Sequence, residues 1–191
     1  MAIPLLCAVT NPIAAALLAA VLAPGTTLVT DPDARAIYVR EHLLLWRLGW
    51  GSWIVASTAF LALFVWWERR VPPHPTHRVA VGLAALAWAS DMTAQALLIG
   101  VVPDRPDVTP TAFALTGGVT NTLYTIAGVI MSVGTPMGRA LRVWTAAMWS
   151  AGAGVSVSVL FDIPAGAAAA SAALYALFVP WCVALGRVLR R

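Results

Sequence analysis

The chain has 191 residues, 60% of them hydrophobic and only 10% charged, with a formal net charge of +4 and a mean hydropathy of +0.82. A soluble domain carries about 25% charged residues, so this balance excludes an ordinary soluble domain and points to an all-α, polytopic integral membrane bundle forming one domain over residues 1–191. All twelve basic residues are arginine; retinal and pyridoxal Schiff bases are excluded because each needs a lysine amine, and the positive charge, placed in loops and at the C-terminus, reads as topology rather than nucleic-acid binding.

Six apolar stretches, at about residues 4–23, 49–67, 79–102, 111–133, 139–161 and 163–186, match a hydrocarbon core of ~30 Å at ~1.5 Å per helical residue. The first lacks a basic leader and reads as a retained helix rather than a signal peptide. Pro12 within it removes a backbone donor and favours a kink, from which Asn11 can reach a neighbouring helix. The polar segment at about residues 31–47 opens with helix-start signals: Thr30 or Asp31 as cap, Pro32 at the first position and Asp33 in the first turn. It mixes Ile37, Tyr38, Leu44, Leu45 and Trp46 with Arg35, Arg40, Glu41, His42 and Arg47. That is too much charge to span. The segment reads either as a short amphipathic interfacial helix before the second span or as a surface helix packed over the bundle.

Trp46, Trp50 and Trp53 bracket one end of the second span and Trp66 and Trp67 the other, as interfacial aromatic belts do. After Glu68, Arg69 and Arg70 comes a stiff, extended Pro72-Pro73-His74-Pro75 loop. His74 and His77 have no third ligand in view and read as solvated loop residues rather than a metal site.

The third span carries Asp91 at its centre. An ionised carboxylate there is unfavourable by roughly 2.5–3.5 kcal/mol on insertion scales, so burial in the bundle, a partner, water or protonation must offset it. On a helix Asp91 shares a face with Ala84, Ala87, Trp88, Ala94 and Gln95, which should point into the protein. Along the fourth span Ala114, Gly117, Gly118, Asn121, Tyr124, Thr125 and Gly128 align on one face, where small residues permit close approach and Asn and Thr supply interhelical hydrogen bonds. Ser150, Gly154 and Ser158 form a similar stripe on the fifth. Asp162 is placed to cap the sixth, which Pro180 should bend near its far end.

Counting depth from the helix ends puts Thr58, Asp91, Asn121, Tyr124, Ser150 and Tyr175 near mid-membrane, with Gln95 and Thr125 one turn away. This layer has two readings. One is a ligand or proton site, since intramembrane ionisable residues mark such sites. The other is a structural clasp, in which a neutral Asp91 donates a hydrogen bond to Asn121 or a mid-depth Tyr. Arg40, Glu41, His42 and Arg47 form a second, interfacial group.

Signatures of membrane enzymes are missing. No His falls within a span, which removes haem bis-His ligation and Ser-His chemistry. No HExxH, GxSxG, CxxC or paired catalytic carboxylates occur, and no pattern calls for a metal or cofactor. With the N-terminus inside, eight arginines (Arg69, Arg70, Arg78, Arg139, Arg142, Arg187, Arg190, Arg191) lie on the cytoplasmic side and four (Arg35, Arg40, Arg47, Arg105) outside. Both termini are then cytoplasmic, and the arginine bias suggests a bacterial inner membrane. Cys7 and Cys182 fall toward the cytoplasmic ends of their helices and are expected as free thiols. The leading functional expectation is a non-enzymatic protein holding a small or lipid-like molecule in a midplane cavity at Asp91, acting as a binding, sensing or accessory subunit. The alternatives are a small proton-coupled transporter using Asp91, and a lipid-modifying enzyme using Asp91 or Glu41. Expected partners are membrane lipids and a second copy or another membrane protein, with no nucleic acid.

Overall fold

A hydrocarbon core offers no water to unpaired backbone groups, so an apolar chain crossing it must satisfy its peptides within each segment, as a helix does. The structure, a computed structural model, describes residues 2–29 and 31–189; Thr30, Arg190 and Arg191 lie outside the described residues. Among these the fold is all-helical, with six helices long and apolar enough to cross a membrane: Ala2–Gly25, Leu43–Glu68, Pro75–Val101, Pro106–Val133, Arg139–Leu160 and Pro164–Val188. It is a multi-pass helical bundle.

The α-helical parts are α1 (Ala2–Leu17), α2 (Pro32–Glu41), α3 (Leu43–Glu68), α4 (Pro75–Ala96), α5 (Thr109–Phe113), α6 (Asn121–Val133), α7 (Arg139–Leu160) and α8 (Pro164–Val188). Three spans also contain a π-helical stretch, at Leu18–Leu22, Leu97–Val101 and Ala114–Thr120. Helix starts obey local chemistry. Asp31 Oδ1 accepts from the backbone N–H of Asp33 at 2.9 Å and of Ala34 at 3.4 Å, with Pro32 next. His74 caps α4 ahead of Pro75 by accepting from the Thr76 N–H.

The spans form a closed ring. α1 packs on α3, α3 on α4, α4 on α6, α6 on α7 and α7 on α8, and α8 returns to α1. Six helices in a ring leave a central space, and large aromatic side chains fill it at one end. Phe60 and Phe64 pack on Tyr124, Phe60 on Phe178, Trp67 on Trp181 and Trp149 on Trp181, with ring centroids 4.6–6.1 Å apart. At the other end a second apolar cluster gathers Leu22, Val39, Trp46, Trp50, Leu98, Val102 and Ala112. Where α7 meets α8 at that end the contact is backbone-close instead. A methyl on Gly154 would lie 3.3 Å from Ala170 Cβ, and one on Gly166 would lie 2.7 Å from Ser158 Oγ.

The structure revises four expectations. The 31–47 segment is not one helix: α2 ends at His42, and Leu43 begins α3, because Trp46 and Trp50 bury in the second cluster and draw the apolar Leu43–Trp46 stretch into the span. The short helix α2 lies against Ala23–Gly25 and Pro106–Val108 with Val39 buried. His77 is not a solvated loop residue and does fall within a spanning helix: it sits in the first turn of α4, 1% exposed. A methyl on Gly134 would lie 2.2 Å from its Nε2, so only glycine leaves room for the ring. Asp162 does not cap α8. It adopts φ 52°, ending α7 in the left-handed conformation usual for glycine, with the Ile163 N–H bonded to Ser158 O at 2.7 Å, while Pro164 opens α8 without a side-chain cap. The fourth span is not a single α-helical face, since the π-helical stretch at Ala114–Thr120 adds a residue to the turn and rotates the helix beyond it.

Candidate functional site

Asp91 lies at the boundary between the two apolar clusters. One turn before it, Ala87 belongs to the aromatic-filled cluster; one turn after Gln95, Leu98 belongs to the other. The same boundary falls between Trp53 and Phe60 on α3, where Ser57 stands, and between Phe113 and Tyr124 on the fourth span, where Thr116 and Thr120 stand. The polar side chains therefore occupy a thin layer separating two greasy cores.

Within that layer Asp91 is 2% exposed and Gln95 fully buried. The Thr116 hydroxyl donates to Asp91 Oδ1 at 2.5 Å, and Gln95 Nε2 donates to the same oxygen at 3.3 Å. The Gln95 contact is the i, i+4 pairing that an α-helix provides. Ser57 lies beside the carboxyl group, and its hydroxyl stands 3.3 Å from the Tyr124 phenol. Thr120 donates to Ala87 O at 3.3 Å. Gln95 Oε1 is buried with no hydrogen-bond partner, as is Trp50 Nε1 on the side of the second cluster. Trp50 packs edge-on against Phe113 at 5.6 Å, and Phe113 is one turn from Thr116.

The other residues expected at mid-depth separate from this group. Asn121 does not meet Asp91: its amide donates to Gly152 O at 2.6 Å and Ser156 Oγ at 2.9 Å, tying α6 to α7. Thr125 faces Gly152 on the same seam. Ser150 is exposed and lines, with Thr125, Ser132, Arg142 and Trp149, a surface groove of about 610 Å³ between α6 and α7. Thr58 is exposed as well, accepting from Trp88 Nε1 at 3.1 Å. Tyr175 is half-buried on α8 and makes no hydrogen bond among the described residues. Thr116, Ser57 and Trp50 were missed. Thr116 emerges only once the π-helical stretch at Ala114–Thr120 is known, and Ser57 only once the register of α3 against α4 is known.

The interfacial group separates too. The His42 ring stacks on Tyr38 at 4.4 Å, Arg40 Nε donates to Ala36 O at 3.2 Å, and Glu41 and Arg47 are exposed without converging on a common point. Asn11 reaches Ala56 O on α3 at 3.5 Å while bonding Cys7 O at 3.1 Å within its own helix. Cys7 and Cys182 are buried, free thiols in the same apolar cluster. Among the described residues no cluster of three or more His, Cys, Asp or Glu side chains could hold a metal. No known protein family, curated protein or solved structure matches this chain.

Proposed function

We propose that the chain is a membrane-embedded binding protein. Its ligand sets one polar group against Asp91, Gln95 and Thr116 and its apolar remainder beneath the Trp50–Phe113 pair. The observation that carries this reading is Gln95 Oε1, an acceptor wholly out of solvent with no donor, beside a carboxyl oxygen that already accepts twice. A buried acceptor left unpaired costs about 1–3 kcal/mol. Exchanging the amide's oxygen and nitrogen only leaves an orphan donor in its place. A ligand hydroxyl or ammonium donating to Oε1 removes that cost. The site is closed and apolar on both sides, which suits a small or lipid-like molecule with one polar end. We place the protein in a bacterial inner membrane with both termini cytoplasmic. Arg69, Arg70, Arg78, Arg139, Arg142 and Arg187 gather at one end against four arginines at the other, in support of that orientation.

Native mass spectrometry of protein extracted from its own membrane tests the reading. A small-molecule adduct is expected on wild type and Ser150→Ala, and absent from Gln95→Met and Asp91→Leu. The same mass profile for all four proteins refutes it.

A proton-coupled transporter is the second reading. It is favoured by two π-helical stretches bordering Asp91, since such widened turns recur where helices shift during function. Asp91→Asn separates the two. An amide still donates and accepts, so a binding protein keeps its adduct, whereas a proton carrier in proteoliposomes stops moving protons because an amide cannot titrate.

A further inference from the structure

We propose that the lipid-facing groove between α1 and α3 is a binding site for an anionic phospholipid. The lipid phosphate would sit between Arg69 and Arg70, with one acyl chain along α3 as far as Thr58. The groove encloses about 580 Å³ and is lined by Ile3, Thr58, Val65, Trp66, Arg69 and Arg70 among others. Its length suits one leaflet. Thr58 and Glu68 are ten residues apart on α3, ~15 Å at ~1.5 Å per residue, with Arg69 and Arg70 in the turn that follows, against a half-core of ~15 Å.

Charge sets the class of occupant. Arg69 and Arg70 are exposed, and among the described residues neither has an ion-pair partner; the one salt bridge there joins Arg105 to Asp107. The acid next in sequence, Glu68, is not among the residues that line the groove. The Arg70 guanidinium sits over the Trp66 ring at 5.7 Å, which holds the cation at the depth where an interfacial indole meets lipid headgroups. Two unpaired guanidiniums above an apolar channel fit a phosphodiester carrying acyl chains, because arginine binds phosphate oxygens bidentately and the chain fills the channel. The opposite groove, between α6 and α7, has one arginine and a hydroxyl-rich wall and serves as the internal comparison.

The test uses full-length protein in detergent, titrated with phosphatidylglycerol or phosphatidylcholine and read by native mass spectrometry. Wild type is expected to retain phosphatidylglycerol preferentially. Arg69→Gln/Arg70→Gln is expected to lower that retention about thirtyfold, to the phosphatidylcholine level. Val65→Trp keeps both charges, fills the channel and is expected to lose the lipid too, while Arg142→Gln retains it. Thermal unfolding of each variant identifies any that fail to fold, and Leu61→Phe then replaces Val65→Trp. Retention unchanged in Arg69→Gln/Arg70→Gln, or in the channel-filling variant, overturns the proposal. So does displacement of the lipid by millimolar inorganic phosphate, which would mark a free-anion site without need of the chain.

Discussion

At the end of the bundle filled by the aromatic cluster, three buried indoles each have a partner. Trp67 donates to Thr135 at 3.0 Å, Trp149 to Ser132 at 3.1 Å and Trp181 to Thr145 at 2.8 Å. Ser132 and Thr135 pass the bond on to the backbone of α6, and Thr145 does so within α7. At the other end Trp46 donates to Leu98 O at 2.6 Å, but Trp50 has no acceptor; two π-helical stretches fall there and the third, Ala114–Thr120, lies at the boundary. The first half is regular and its indoles are satisfied, although His77 Nδ1 and Nε2 are buried there without a partner. The other keeps irregular turns and an unpartnered indole, and irregular turns suit a site that accommodates a ligand. Asp91 sits on the seam, held there by Gln95 and Thr116.

Four measurements of apparent unfolding in detergent break or sharpen that contrast. The largest effect is expected for Gly128→Val, because a Cβ there would lie 2.1 Å from the Trp149 ring; overpacking of this kind costs about 3 kcal/mol. Gly100→Val, at a glycine with open space around it in a π-helical stretch, should change stability by less than about 0.5 kcal/mol. Equal losses would mean that the two ends do not differ in tightness.

Asp91→Leu comes next, at about 1–3 kcal/mol, since it strands the Thr116 hydroxyl and the Gln95 amide. Asp91→Asn should stay folded and lose less, because an amide oxygen still accepts from Thr116. Wild-type stability in Asp91→Leu would remove the seam from the account altogether.

Trp181→Phe and Trp50→Phe delete similar ring area, but only the first breaks a hydrogen bond. Trp181→Phe should therefore be the more damaging by about 1 kcal/mol. The reverse order would show that Trp50 has a partner, such as a retained ligand. Smallest is Asp162→Gly, which relieves a non-glycine residue at φ 52° and should raise stability by about 0.5 kcal/mol. A loss instead would mean that the Asp162 side chain holds the α7–α8 turn.

Several of these residues were within reach of sequence reasoning and several were not. Asp91 announces itself, because a lone acid amid some two dozen apolar residues must be buried against something, and Gln95 comes with it through helical spacing. Thr116 did not, because a helical wheel drawn through the fourth span assumes ~100° per residue throughout, and Ala114–Thr120 does not keep that pitch. The same slip joined Asn121 to Asp91 on paper, whereas Asn121 turns to Gly152 and Ser156 on α7. His77 was misplaced for a different reason. Polar residues beside a Pro-rich loop look solvated, and only the glycine at 134, distant in sequence, makes room to bury the ring.

By itself the sequence determined six spanning helices, their approximate ends and the burial of Asp91. These rest on local quantities: the run of apolar residues a bilayer demands, the capping and proline positions that start a helix, and the cost of a carboxyl group in hydrocarbon. Only the tertiary structure decided that the spans close into a ring, that aromatic side chains plug one half of it, and that Asp91 meets Thr116 rather than Asn121. Partner choice across helices depends on rotation and register, and a single π turn changes both without altering the hydrophobic pattern along the chain.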